Sequence, residues 1–154
     1  MAMLLGVSCA SARESVEEIL VQLEKETAPL PAGNRYRSGV SEGEDEALLT
    51  DVRDALYGQR SEEIFALVEE YAIYLSATAM PYEIGVFRCY SSTDAHRVAL
   101  MCMERIEALR VALGGTQWET VVGEAEVVCR GRDVLLCLTE RSESVARKAN
   151  RLLG

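Results

Sequence analysis

Two apolar-rich segments, a polar turn and one long amphipathic run follow one another between Tyr71 and Leu113, and this succession constrains the fold more than any other feature. From Val68 to Ser76 the chain is rich in Tyr, Ile, Leu and Val, and Tyr71, Ile73 and Leu75 alternate with Ala72 and Tyr74. A period of two predicts a strand. Ser76 to Pro81 breaks it, and Tyr82 to Cys89 predicts a second strand. Ile84 and Val86 fall on one face of that strand and Gly85, Phe87 and Cys89 on the other. Apolar residues on both faces imply an inner strand, or one covered on both sides. Ser91-Ser92-Thr93-Asp94 offers short oxygen-bearing side chains to cap a helix start. The helix that follows sets Ala95, Val98, Ala99, Cys102, Ile106, Leu109 and Leu113 on one stripe, and Gly114-Gly115 stops it.

The second half adds a hairpin. From Glu124 to Thr139 the turn centres on Gly131-Arg132. With Cys129 opposite Val134, the residues Ala125, Val127, Cys129, Val134, Leu136 and Leu138 form one apolar face. A slip of one residue would mix the two faces, so the register is specified. Cys129 and Cys137 then lie on opposite faces and are barred from a mutual disulfide. Ser142 to Leu153 predicts a closing helix, capped by Ser142 or Ser144, with Val145, Ala149, Leu152 and Leu153 as its buried stripe. Thr116 to Gly123 reads as a loop whose Trp118 covers the core edge, in preference to stacking on a ligand.

The first third is less regular. Ser11 to Glu26 predicts an amphipathic helix with Val16, Ile19, Leu20 and Leu23 inward and a capping box between Ser11 and Glu14. Pro29 to Gly33 ends it. Asn34 to Gly43 is a loop or a short edge strand through Tyr36. The acids Glu42, Glu44, Asp45 and Glu46 lack the spacing of a calcium loop. Acids before a helix suit the positive end of its dipole, and a helix is predicted from about Glu46 to Tyr57, burying Leu48, Leu49, Val52 and Leu56 and closed by Gly58. Ser61 to Leu67 adds a helical turn.

A length of 154 residues fits one domain with one sizeable core. The formal charge of −9 disfavours nucleic acid and polybasic membrane contact as partners, since both draw on clustered cations. No apolar run approaches the ~20 residues that a membrane-spanning helix needs. The five cysteines are too sparse for a disulfide scaffold and contain no CxxC, so a zinc site of ordinary spacing is not expected, and no cofactor motif is present.

Two constellations carry chemistry. His96, the single histidine, is six residues from Cys102 and so faces another side of the helix. Cys89, at the end of the strand feeding the turn, is the thiol that could approach His96 and form a nucleophile pair, the basis of a small hydrolase or thiol-dependent enzyme. Glu83 lies in an apolar strand and Arg105 beside the buried stripe of the long helix. If the helix packs on the sheet, the two form a partly buried ion pair, structural in preference to ligand-binding.

The segments LVEEYAIYLS, PYEIGVFRCYSSTDAHRVALMCMERIEAL and AEVVCRGRDVLLCL, anchored by Pro81-Tyr82-Glu83-Ile84, Arg105 and the Gly131 hairpin, resemble the domain-of-unknown-function family 4358. The resemblance spans Ala47 to Leu152 and implies a small secreted or lipid-anchored bacterial protein, without implying any catalytic or binding residue. Residues 1–10, MAMLLGVSCA, lack the basic region of a complete signal peptide but are similar to the tail of a lipoprotein signal, with Cys9 as the lipid acceptor. The alternative is a frayed N-terminus.

The expected fold is α+β: an antiparallel sheet of about four strands in two hairpins. The long and C-terminal helices pack on one face and the N-terminal helices on an edge or the second face, in a single domain over 11–154. The leading functional expectation is a non-enzymatic, extracytoplasmic, membrane-tethered binding or structural module with a partner at the bacterial cell envelope. A cytoplasmic adaptor is the alternative if Met1 is the true start. Ligand, partner identity and oligomeric state leave no mark in the sequence.

Overall fold

A computed structural model describes residues 12–154. Cys9, and the cap expected of Ser11, lie outside the described residues. Five strands form one antiparallel sheet in the order β1-β2-β3-β5-β4. They are β1 (Gly33–Arg37), β2 (Val68–Ser76), β3 (Glu83–Cys89), β4 (Glu126–Arg130) and β5 (Asp133–Leu138). The fifth strand is β1, the short edge through Tyr36. Every residue of β3 and β5 is buried, as central strands covered on both faces require. The β4–β5 register sets Cys129 opposite Val134 and Arg130 opposite Asp133.

Six helices complete the described residues: α1 (Val16–Thr27), α2 (Thr50–Tyr57), α3 (Ser61–Phe65), α4 (Ser92–Leu113), α5 (Glu119–Gly123) and α6 (Ser142–Leu152). Ser91 caps α4 through its side chain, which accepts from the Asp94 N–H. Strand alternation divides the core in two. On one face Ile73, Phe87, Val134, Leu136 and Leu138 meet Ala95, Val98, Cys102 and Ile106 of α4. On the other face Tyr74, Ile84, Val86, Leu135 and Cys137 meet Val16, Ile19, Leu20 and Leu23 of α1 and Val145 and Ala149 of α6.

Several expectations are corrected. α6 lies on the face opposite α4, because Leu135 and Cys137 leave that second face apolar and in need of cover. α1 begins a turn later than expected, and its capping box joins Ser15 and Glu18. No side chain caps α6: the Ser142 hydroxyl accepts from the Thr139 N–H at 2.9 Å, and Ser144 donates to Glu26 at 2.7 Å. α2 starts at Thr50, and Tyr57 is its buried residue, while Leu49 stays 45% exposed. The acidic run therefore precedes a loop, and Glu46 pairs with Arg37 instead of sitting on a helix dipole. Trp118 precedes a short helix, α5, and its ring meets that of Tyr82 edge-on with centroids 6.4 Å apart at the margin of the core.

Candidate functional site

Glu83 opens β3 on the face under α4, where strand parity also points Phe87 and Cys89. Its side chain is 1% exposed. Arg105 of α4 donates from Nε to Glu83 Oε2 at 3.1 Å, and the Tyr57 hydroxyl donates to Glu83 Oε1 at 2.7 Å. Both carboxylate oxygens are thus engaged, as burial of a charge demands. Burial, followed by the neighbouring Glu83 charge, pushes the Tyr57 phenol well above its ordinary range, so it remains a donor. Tyr57 also lines a small cleft of about 220 Å³ with Arg60, Ile64, Arg97, Leu100, Met101 and Glu104.

Cys89 and His96 are not brought into a catalytic pair. Cys89 is fully buried under α4, and burial pushes its thiol up to about 12, far from the thiolate that a nucleophile needs. His96 is exposed on the first turn of α4, and its Nδ1 lies 2.7 Å from the Ser92 carbonyl oxygen. No hydrogen bond joins the two among the described residues. Cys102 is buried and its thiol is likewise pushed well up by burial. Among the described residues no three Asp, Glu, His or Cys side chains converge as metal ligands.

A second buried charge network occupies the opposite face. Arg88 of β3 sits opposite Asp133 of β5 in register and donates to its carboxylate from Nε at 3.0 Å and from Nη2 at 3.4 Å. Arg13 Nη2 donates to Asp133 Oδ2 at 2.6 Å, and the Gly154 N–H donates to the same oxygen at 3.3 Å. Arg88 Nη1 reaches the Glu14 carbonyl and Glu70, and Glu70 Oε1 accepts from the Val16 N–H at 3.1 Å. The network fastens the start of α1 to the end of the sheet. Two charged residues inside apolar strands were its signal in the sequence, the same signal that picks out Glu83.

A mixed cleft of about 460 Å³ is lined by Pro29 to Pro31, Met80, Tyr82 and Thr139 to Arg141. Burial, and then Glu140, pushes the Tyr82 phenol up to about 12. None of Cys89, His96, Glu83 or Arg105 lines this cleft. The outward side of α4 is different in kind. Leu100 is 59% exposed, Met103 51% and Val111 80%, with Glu104 and Glu107 between Leu100 and Val111 along the helix. Spacings of four and seven put Leu100, Glu104, Glu107 and Val111 on one side, with Met103 turned toward a flank. No helix among the described residues is long and apolar enough to cross a membrane.

Comparison of the chain with known protein families, curated proteins and solved structures gave no match. The resemblance to family 4358 finds no support there.

Proposed function

We propose that the chain is a non-enzymatic binding module and that the outward side of α4 is its contact face. The observation that carries this reading is the exposed apolar pair Leu100 and Val111, one on either side of Glu104 and Glu107. Two large apolar side chains left exposed on one side of a helix, roughly 16 Å apart, offer a partner two anchor points. The acids between them, on a chain of net charge −9, fit a partner segment with apolar side chains toward its two ends and Lys or Arg between them. A displayed-peptide selection tests this. The expected winners carry Lys or Arg between two apolar anchors, weaken with added salt and lose binding to Leu100→Asp and Val111→Asp variants. Winners indifferent to those variants would sink the reading.

The Val7-Ser8-Cys9 pattern supports placing the module at the cell envelope, tethered by lipid on Cys9. Metabolic labelling with palmitate, lost in a Cys9→Ala variant, is the expected result; an unlabelled chain would contradict the tether. A second reading, a cytoplasmic adaptor, is favoured by the thiols. Cys89, Cys102 and Cys137 are buried and unpaired, and Cys129 is exposed and unpaired. Free thiols of this kind suit a reducing compartment. Compartment fractionation of the native host separates the two.

A further inference from the structure

We infer that β4 pairs with β4 of a second copy of this chain, antiparallel about Val128, joining two five-stranded sheets into one. β4 is a terminal strand of the sheet. Gly131-Arg132 closes the β4–β5 hairpin as a two-residue turn, and Gly131, with φ +57°, occupies the first central position, where a type II′ turn places glycine. The pair closing such a hairpin, Arg130 and Asp133, exchanges both backbone hydrogen bonds, and so do the alternate pairs at Val128 and Glu126. Val127 and Cys129 therefore direct their N–H and C=O groups away from β5. No turn, loop or cap hydrogen bond reaches either residue.

A two-fold axis through Val128 uses those groups. It sets Val127 opposite Cys129 of the second copy in a hydrogen-bonded position, and the reverse pair with it. It also sets Glu126 opposite Arg130 of the second copy, twice. Glu126 has no ion-pair partner in its own chain among the described residues, and Arg130 bonds only the Asn150 carbonyl. Opposite charges directly across an antiparallel pair stabilise it, and a register shifted by two residues breaks both pairs. The other edge does not offer this. Centred on Tyr36, β1 would oppose Arg35 to Arg37, and these arginines already hold Glu24 and Glu46. The Arg37 N–H is also taken, by the Glu46 carbonyl.

Strand pairing of five residues falls short of the ~1,000 Å² that a stable interface needs. The flank of α4 adds area. Met101 turns toward α2 and α3, lining the cleft with Tyr57 and Arg60. Met103 lies roughly 200° further round the helix, on the flank away from α2 and α3, and is half exposed, and α4 itself packs on β4. In the joined sheet the two α4 helices run side by side on one face. Such a contact is isologous and closes on itself.

Sedimentation equilibrium tests the inference on the full chain. Wild type is expected as a dimer at tens of micromolar. Glu126→Arg or Arg130→Glu alone places like charges opposite each other twice and weakens association at least tenfold, and the two together restore it. Circular dichroism checks that each variant keeps its fold. Independently, Val128→Cys in a Cys9→Ser, Cys129→Ser background is expected to form an interchain disulfide. The two sites face each other at a non-hydrogen-bonded position, with Cα atoms ~4.5 Å apart. A monomeric wild type, a charge swap that fails to rescue, or a Val128→Cys chain that stays uncrosslinked overturns the inference. The partner reading for Leu100 and Val111 survives that outcome, since those residues point outward from α4 and not along its flank.

Discussion

Arg88 and Asp133 face each other across neighbouring strands β3 and β5, joined at 3.0 Å, with Asp133 fully buried. The pair does more than neutralise charge. Asp133 also receives Arg13 and the Gly154 N–H, and Arg88 holds Glu70 and the Glu14 carbonyl. One carboxylate thereby fixes where α1 enters the fold.

Removing a single partner should be costly because it strands the other in the interior. Arg88→Met is expected to destabilise by about 3–5 kcal/mol in urea unfolding. Arg88→Met combined with Asp133→Leu should cost less than the sum of the single changes, since neither charge is then left alone. A single variant within about 0.5 kcal/mol of wild type would show that the network is ornamental.

On the other face, Tyr57→Phe leaves Glu83 Oε1 without its donor. The expected loss is about 1–3 kcal/mol, larger than for a typical surface substitution. Arg105→Met should cost more, for the same reason as at Arg88. Thermal unfolding followed by circular dichroism reads both. Equal, negligible shifts in Tm would contradict the assignment of this triad as a buried anchor.

The buried thiols predict the alkaline limit of stability. Cys89 is raised to about 12 and Cys137 to about 11, in each case chiefly by burial. An unfolded thiol loses its proton near ~8.5, while the folded one keeps it. Above that point the native state binds more protons than the unfolded state, so stability falls as pH rises. The slope is about 1.4 kcal/mol per pH unit for each such thiol, between roughly pH 9 and 11. Cys89→Ala should flatten it. Urea midpoints measured across this range decide the matter, and an unchanged slope in the variant would remove Cys89 from the account.

Gly85 lies in the fully buried strand β3 beneath the Phe87 ring. A Cβ there would come within 2.9 Å of Phe87 Cε2. Gly85→Ala is expected to cost about 1–3 kcal/mol through overpacking. Adding Phe87→Leu should recover part of that loss relative to Phe87→Leu alone. A fully additive double variant would mean that ring and glycine are not in contact.

What the sequence discloses follows the range of the interaction. The β4–β5 register is local: alternation on both strands and a glycine at the turn leave one pairing that keeps Val134, Leu136 and Leu138 on one face. The extent of β2 and the start of α4 at Ser91 are local too. The Glu83–Arg105 contact needed only the assumption that α4 packs on the sheet. By contrast, the Arg88–Asp133 pair requires β3 and β5 to be neighbours across the α4 crossover, which nothing local encodes. The face chosen by α6 is silent for a similar reason, because an apolar stripe says that a helix buries itself and not against which side. The start of α1 was ambiguous in itself, since Ser15 and Glu18 repeat the spacing of Ser11 and Glu14. For Cys89 and His96, strand parity sends the thiol inward and the first helical turn leaves the imidazole in solvent, so proximity in sequence did not become proximity of reactive atoms.

The contact face is most directly tested by amide chemical-shift mapping of the labelled chain against a selected peptide with basic residues between two apolar anchors. The account predicts perturbations concentrated at Leu100, Glu104, Glu107 and Val111. Perturbations gathered instead at Tyr82, Thr139 and Arg141, around the mixed cleft, would contradict it.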